Sequence, residues 1–260
     1  MSGTVHLEYL EQGIAKVILD NPGKLNAMHT QMWDQTSEIF TTLSADDAIR
    51  CVIITGAGEQ AFGAGADISE FEQTRGNAEQ AQRYGKRTHA ALSAITHCRH
   101  PVIAQIRGLC VGGGLELAIC ADMRICGESS RFAIPSKKLG LVVAYEEMQE
   151  LLHLVGYANT LEILFEGRLL DSAHALRIGL VNRIVADEQI EQNVLQCAQN
   201  IAAGAPLVAR WHKKFARRLL DPTPLSAEER DESYHCFDTE DFKIGYQAFL
   251  AKKKPEFKGQ

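Results

Sequence analysis

The residues best suited to chemistry lie in two glycine-rich runs and in one glutamate that follows the second of them. The first run is Ala61-Phe62-Gly63-Ala64-Gly65-Ala66-Asp67-Ile68; the second is Gly108-Leu109-Cys110-Val111-Gly112-Gly113-Gly114-Leu115-Glu116-Leu117. Small residues let a ligand approach the main chain, and a helix start offers N–H groups with no intrahelical acceptor. Two such turns after neighbouring strands can aim two amides at one oxygen, an oxyanion hole suited to a thioester enolate. A phosphate cradle is the rival reading, yet the chain has no GxxxxGK[ST], and its glycines do not fit GxGxxG in a βαβ unit with a following acid. Tight packing of a helix on a strand explains the triple glycine equally well on its own. Glu116 falls in the first turn of the helix after Gly114. There a carboxylate either complements the helix dipole, worth ~0.3–1 kcal/mol, or moves a proton. The helix end favours its anion and burial its neutral form, a balance that suits a general base.

The elements that must hold these loops are legible as β-type runs alternating with helical patterns. Strands are predicted over residues 14–19, 51–55, 102–106, 123–126 and 131–134, and helices from Met28, over residues 78–95 and from about Leu115. This alternation implies an α/β fold, a mostly parallel sheet covered by helices. From about residue 187 the pattern is helical throughout. Ile190, Val194, Cys197, Ala198 and Ile201 mark one face, Leu207, Trp211, Phe215 and Leu219 a second, and residues 227–250 a third helix. Helices this apolar on one face must pack on the core or on another subunit. The expected organisation is a core over residues 1–195 and a helical segment over residues 196–260, with no internal sequence repeat.

Composition narrows the classes. With 260 residues, 45% hydrophobic and 23% charged, the chain can bury an ordinary core, which excludes disordered, collagen-like and disulfide-stapled proteins. A net charge of -6 argues against a general nucleic-acid footprint. No apolar stretch reaches the ~20 residues of a membrane span, and the first residues lack a basic patch followed by an apolar run. Neither a membrane nor a nucleic acid is therefore expected as a partner. The seven cysteines form no CxxC pair, and Cys120 and Cys126 have no nearby histidine. Free buried thiols, a cytoplasmic compartment and no metal site are the expectation. His97 and His100 read as surface residues, His153 and His174 as ordinary helix residues.

Further along, the order of motifs becomes specific. Asn21-Pro22, Lys24-Leu25-Asn26-Ala27, Ala61-Phe62, Ala64-Gly65-Ala66-Asp67, Pro101-Val102-Ile103-Ala104 and Gly112-Gly113-Gly114-Leu115-Glu116-Leu117-Ala118 follow one another, with Asp122 after them. Phe132, Pro135, Leu139-Gly140, Gly179-Leu180-Val181 and Pro255-Glu256-Phe257-Lys258-Gly259 continue the series. Across essentially its whole length the chain resembles the crotonase superfamily, the enoyl-CoA hydratase/isomerase group. The resemblance implies a crotonase-like spiral of ββα turns with C-terminal helices that build trimers, often paired into hexamers. It also implies an acyl-CoA thioester as substrate, with coenzyme A part of that substrate and no separate cofactor. By the same resemblance the amides of Ala66 and Gly113 form the oxyanion hole and Glu116 is the main acid/base. Lys24, Leu25, Ala27, Ala64, Asp67 and Ile68 would line the coenzyme A channel, and Lys258 would approach the coenzyme A of a neighbouring subunit. Tyr234 and Phe237 would close the acyl pocket.

The chain departs from that pattern in one region. Family hydratases carry a second glutamate directly after the proline matching Pro135, where this chain has Ser136. An ordinary hydroxyl cannot replace a carboxylate as acid/base, so Ser136 is expected to orient water or substrate, or to make a structural hydrogen bond. The glycine-rich stretch that follows in hydratases is Ala144-Tyr145-Glu146-Glu147-Met148 here. On a helix starting near Tyr145, Glu146 and Glu147 point about 100° apart, so at most one need face the pocket. Either both acids mark a solvated helix start, or one of them, Glu146 being the candidate carried forward, replaces the missing glutamate from another backbone position. Hydration of a 2-enoyl-CoA is the leading function, a decarboxylase or double-bond isomerase the alternative, and a non-catalytic acyl-CoA-binding protein the reading from another class.

Overall fold

The computed structural model describes residues 3–260. Its core is two stacked sheets. The larger contains β1 (Thr4–Leu10), β2 (Ile14–Asp20), β3 (Cys51–Gly56), β5 (Val102–Ile106), β7 (Met123–Gly127) and β10 (Arg183–Val185), in the order β1-β2-β3-β5-β7-β10. The smaller has β4 (Ala61–Gly63), β6 (Leu109–Val111), β8 (Arg131–Ala133) and β9 (Leu170–Asp171), in the order β4-β6-β8-β9. The β1–β2 and β8–β9 pairs are antiparallel and the others parallel. Each turn gives one strand to either sheet and then a helix: β3 and β4, β5 and β6, β7 and β8. The spiral is therefore a repeat of structure, although the turns share no sequence repeat.

The helices of the core are α1 (Thr30–Ala45), α2 (Phe71–Thr74), α3 (Ala78–Thr96), α4 (Gly113–Ile119), α5 (Tyr145–Glu166), α6 (Ser172–Arg177) and α7 (Ile190–Ala202). β3 and β5 are buried on both faces, as parallel strands between helices must be. Trp33, Phe40, Phe62 and Phe132 are the largest side chains wholly inside. Residue 195 falls within α7, and Ile190, Val194, Cys197, Ala198 and Ala202 of that helix pack on Ile53, Ile103 and Ile125 of the large sheet. The chain leaves the core only after Gly204, in α8 (Pro206–Arg218), α9 (Ala227–Asp231) and α10 (Glu240–Leu250).

Several expectations need correction. The helix from Met28 begins at Thr30, because Met28 is held in a parallel bridge to Ala66. The single helix over residues 227–250 is α9, a 3-10 stretch over Glu232–Asp238 and α10, with Thr239 capping the last through its side chain on the Phe242 amide. β1, an edge strand exposed at His6, Glu8 and Tyr9, is absent from the predicted strands although Val5, Leu7 and Tyr9 alternate with polar residues. His100 is wholly buried rather than at the surface. Its Nε2 lies 3.0 Å from the Leu43 carbonyl, and burial, with Arg210 and Arg99 nearby, pushes its pKa down to about 4. All seven cysteines are free, six of them buried. Among the described residues, no helix is long and apolar enough to cross a membrane.

Candidate active site

The two glycine-rich runs meet face to face. Met28 donates its amide to Gly65 O at 2.7 Å and accepts from the Asp67 amide at 2.9 Å. In a parallel bridge this pattern uses the groups on either side of Ala66 and turns the amide of Ala66 the other way. Gly113 is the first residue of α4, where a backbone N–H has no intrahelical acceptor. A Cβ built on Gly113 would stand 3.6 Å from Ala66 N and 3.1 Å from the Trp33 ring. The two amides therefore flank one small volume, and among the described residues no loop or cap hydrogen bond uses either of them.

Glycine is required here for closeness as well as conformation. A Cβ on Gly114 would lie 2.2 Å from Gly63 O, so α4 can sit against β4 only without a side chain. Gly65 (φ +104°) and Gly112 (φ +52°) occupy backbone regions that other residues rarely adopt. Asn26, itself at φ +57°, ties the preceding turn down by donating to Ala57 O at 3.0 Å and Ala61 O at 2.8 Å.

A two-lobed cavity opens in front of the amides. The smaller lobe, about 150 Å³, is lined by Ala64, Ala66, Ile68, Gly113, Glu116, Ser136 and others. The larger, about 540 Å³, shares Arg75, Glu116, Ser136 and Leu141 with it and adds Tyr84, His89, Glu146 and Glu147. Glu116 stands where the lobes join. Only part of its side chain reaches the cavity, and the surrounding protein pushes its pKa up to about 8, with the charge of Glu147 adding to the shift and Arg75 opposing it.

Of the two acids on α5, Glu147 is the one turned inward. Its side chain is 14% exposed against 67% for Glu146. Glu147 accepts the Ala144 amide at 2.9 Å and lies 3.4 Å from His89 Nε2, while Glu146 stands at the rim, 4.0 Å from His89 Nδ1. Sequence spacing separates two neighbours on a helix but does not say which one faces in; here Glu147, bonded to the Ala144 amide and largely buried against His89, does. Ser136 opens a 3-10 turn and lines both lobes, and among the described residues its hydroxyl has no protein partner.

The residues expected along a coenzyme A channel divide into groups. Ala64 and Ile68 line the small lobe. Lys24 and Asp67 line a separate cavity of about 510 Å³ beside it and pair at 2.5 Å. Burial works against the Asp67 charge, yet Lys24 and Ser69 together hold its carboxyl below the ordinary value. Leu25 is partly exposed at φ +50° and Ala27 is buried in the turn between them. Lys258 is elsewhere, its ammonium 2.8 Å from Glu240 and its amide on Asp241. Tyr234 and Phe237 line neither lobe and are more than half exposed. Among the described residues no group of three His, Cys, Asp or Glu could hold a metal ion.

This geometry has counterparts. The enoyl-CoA hydratase/isomerase family model matches residues 9–260. The chain belongs to that family. It is 32% identical over 248 residues to a short-chain-enoyl-CoA hydratase of Clostridium acetobutylicum, covering 95% of this chain and 94% of that one. It is 34% identical over 269 residues to a carnitinyl-CoA dehydratase of Proteus mirabilis, with both chains covered completely. A crystal structure of an enoyl-CoA hydratase/carnithine racemase from Magnetospirillum magneticum superposes with a TM-score of 0.97 at 47% identity, covering 98% of this chain and 96% of that one. The fold is thus the crotonase spiral, and the protein is an enzyme of the hydratase/isomerase family.

Proposed function

We propose that this enzyme adds water reversibly across the double bond of a 2-enoyl-CoA. The observation that carries the reading is the pair of amides, Ala66 and Gly113, facing a cavity in which Glu116 is the adjoining acid/base. The thioester oxygen accepts from both amides. Ionised Glu116 takes a proton from water as the water oxygen bonds to C3, and the electron pair of the double bond moves onto the thioester oxygen. Collapse of that enolate takes the proton back at C2, so water is consumed and nothing else is. Glu147 holds the attacking water from the far side, the task that a second glutamate after Pro135 performs in family hydratases, and Ser136 orients it. Glu146 stays at the rim as a partner for His89.

Coenzyme A enters as part of the substrate, its chain running past Ala64 and Ile68 and its polar end lying near Lys24, Leu25, Ala27 and Asp67. The active form is a homotrimer or a dimer of trimers. Leu219, Tyr234, Phe237, Phe249 and Leu250 are large apolar side chains more than half exposed on the C-terminal segment, surface that a neighbouring subunit would cover. In that assembly Lys258 would meet the coenzyme A of a neighbour. Free thiols on every cysteine suit a reducing cytoplasm.

The test is incubation with 2-enoyl-, 3-hydroxyacyl- and malonyl-type thioesters in ¹⁸O-water, with products followed by mass spectrometry. Interconversion of enoyl and 3-hydroxyacyl thioesters with ¹⁸O at C3 is expected. Carbon dioxide release, double-bond migration without label, or tight binding with no turnover would each replace this reading.

A further inference from the structure

Arg75 is a cation that makes no ion pair, although its charge is felt by Glu116. It follows α2, lines both lobes of the cavity, and is absent from every side-chain ion pair among the described residues. Its Nε is buried without a protein acceptor. The guanidinium carbon lies 3.9 Å from the centroid of Tyr84 and 4.7 Å from that of Phe71. Tyr84 is fixed in turn, its hydroxyl accepting from Trp33 Nε1 at 2.7 Å. Stacking of this kind occupies the faces of a guanidinium; Tyr84 also draws on one of its N–H groups, and Nε is left for another acceptor. Buried polar donors in native proteins nearly always have partners, so an unpartnered one at a cavity wall marks the place of a ligand acceptor.

We propose that Arg75 receives a carboxylate carried on the acyl chain, making the preferred substrate a short dicarboxylic acyl thioester rather than a plain fatty one. The inference rests on the acyl-CoA reading above. With the thioester oxygen at Ala66 and Gly113, the chain passes Glu116 and reaches Arg75 where the lobes join, so the anionic group lies only a few carbons beyond C3. The acids of the larger lobe do not compete for that position. Glu147 is engaged by the Ala144 amide and His89, and Glu146 is out at the rim. Lys86, exposed at the mouth of the larger lobe, adds a second positive charge there.

Binding, which needs no turnover, tests this directly. Glutaryl-CoA and 5-methylhexanoyl-CoA have acyl groups of matched size, one ending in a carboxylate and the other in two methyls. Calorimetry of the full-length protein should give a Kd for glutaryl-CoA at least tenfold lower than for the apolar analogue. Arg75→Gln should bring the two within about threefold of each other, with Arg75→Lys between, in variants whose melting curves match the parent. Equal or stronger binding of the apolar analogue by the parent protein overturns the proposal, as does a preference that survives Arg75→Gln. If neither thioester binds, the acyl-CoA reading fails with it. If both bind without preference, only the role of Arg75 fails.

Discussion

The two walls of the cavity are built on different principles. One is main chain: amides of Ala66 and Gly113 held by a parallel bridge, a helix start and contacts that tolerate no side chain at Gly114. The other is side chain: Glu147 and Glu146 at the start of α5, Ser136 on a 3-10 turn, His89 from α3 and Arg75 beyond α2. A main-chain donor is indifferent to which small residue carries it and is fixed by packing, so it survives as the chain changes around it. A carboxylate on a helix start can be moved by a change of residue without disturbing the sheets. On the proposed mechanism the first wall fixes what kind of intermediate is stabilised, and the second how protons move and which acyl group fits.

The sharpest way to break the main-chain wall is Gly114→Ala. The added methyl would press on the Gly63 carbonyl, and the strand or α4 must move. Overpacking of this sort costs about 1–3 kcal/mol, occasionally more, and it misplaces the adjoining Gly113 amide as well. Denaturant titration should show the stability loss and turnover should vanish; an undiminished rate would mean that the amides are not the catalytic donors.

Next in size is Glu116→Gln, which keeps shape and removes the titrating group. Loss of a general acid/base should lower kcat/KM by roughly 10²–10⁴-fold. The same variant carries a signed test of stability. The native pKa of Glu116, about 8, lies above its ordinary carboxyl value of 4.5, so the native state holds a proton that the unfolded chain has released between those limits. Folding therefore loses stability as pH rises from 4.5 toward 8. Glu116→Gln removes that loss, and its melting temperature should exceed the parent's at pH 9 while differing little at pH 4.

Smaller again is Glu147→Gln. Removing one charged hydrogen-bonding partner of the water costs about 1.5–3 kcal/mol, roughly 10–100-fold in rate. The direction of the pH change is the more telling result. Hydration by ionised Glu116 should climb as pH rises through about 8 in the parent. Without the like charge of Glu147 that limb should move to lower pH, and Arg75→Gln should move it up. Glu146→Gln should move it little, because that side chain stands in solvent. A limb that follows Glu146 instead would restore the assignment drawn from sequence spacing alone.

Much of the main-chain wall is legible in the sequence, because two runs of glycine and alanine, each set after a strand, mark where main chain must come close, whether for a ligand or for packing. The place of Glu116 and five strands of the two sheets follow from local pattern, whereas naming Ala66 and Gly113 as the amide pair needs the family resemblance. The opposite wall was not legible for a physical reason. Whether Glu146 or Glu147 faces inward depends on how α5 is rotated where it packs on α3 and α4, and Arg75 is drawn to the cavity only where Phe71 and Tyr84 meet it from distant parts of the chain. Three-residue strands such as β4 and β6 are not legible in the sequence because so few residues carry no usable period.

Ser136→Ala should have the smallest effect, and its size separates two accounts of the second wall. If the hydroxyl merely orients a water that Glu147 already holds, its loss removes one neutral hydrogen bond, worth about 0.5–1.5 kcal/mol, or about two- to tenfold in kcat. Nothing in the fold should change, since among the described residues the hydroxyl supports no other group. A loss as large as that of Glu116→Gln would instead place the proton path through Ser136 and reduce Glu147 to a cap on its own helix. Ser136→Glu in the Glu147→Gln background completes the comparison. Recovery of rate there would mean that the carboxylate can be supplied from either backbone position, with the amides of Ala66 and Gly113 unchanged beneath it.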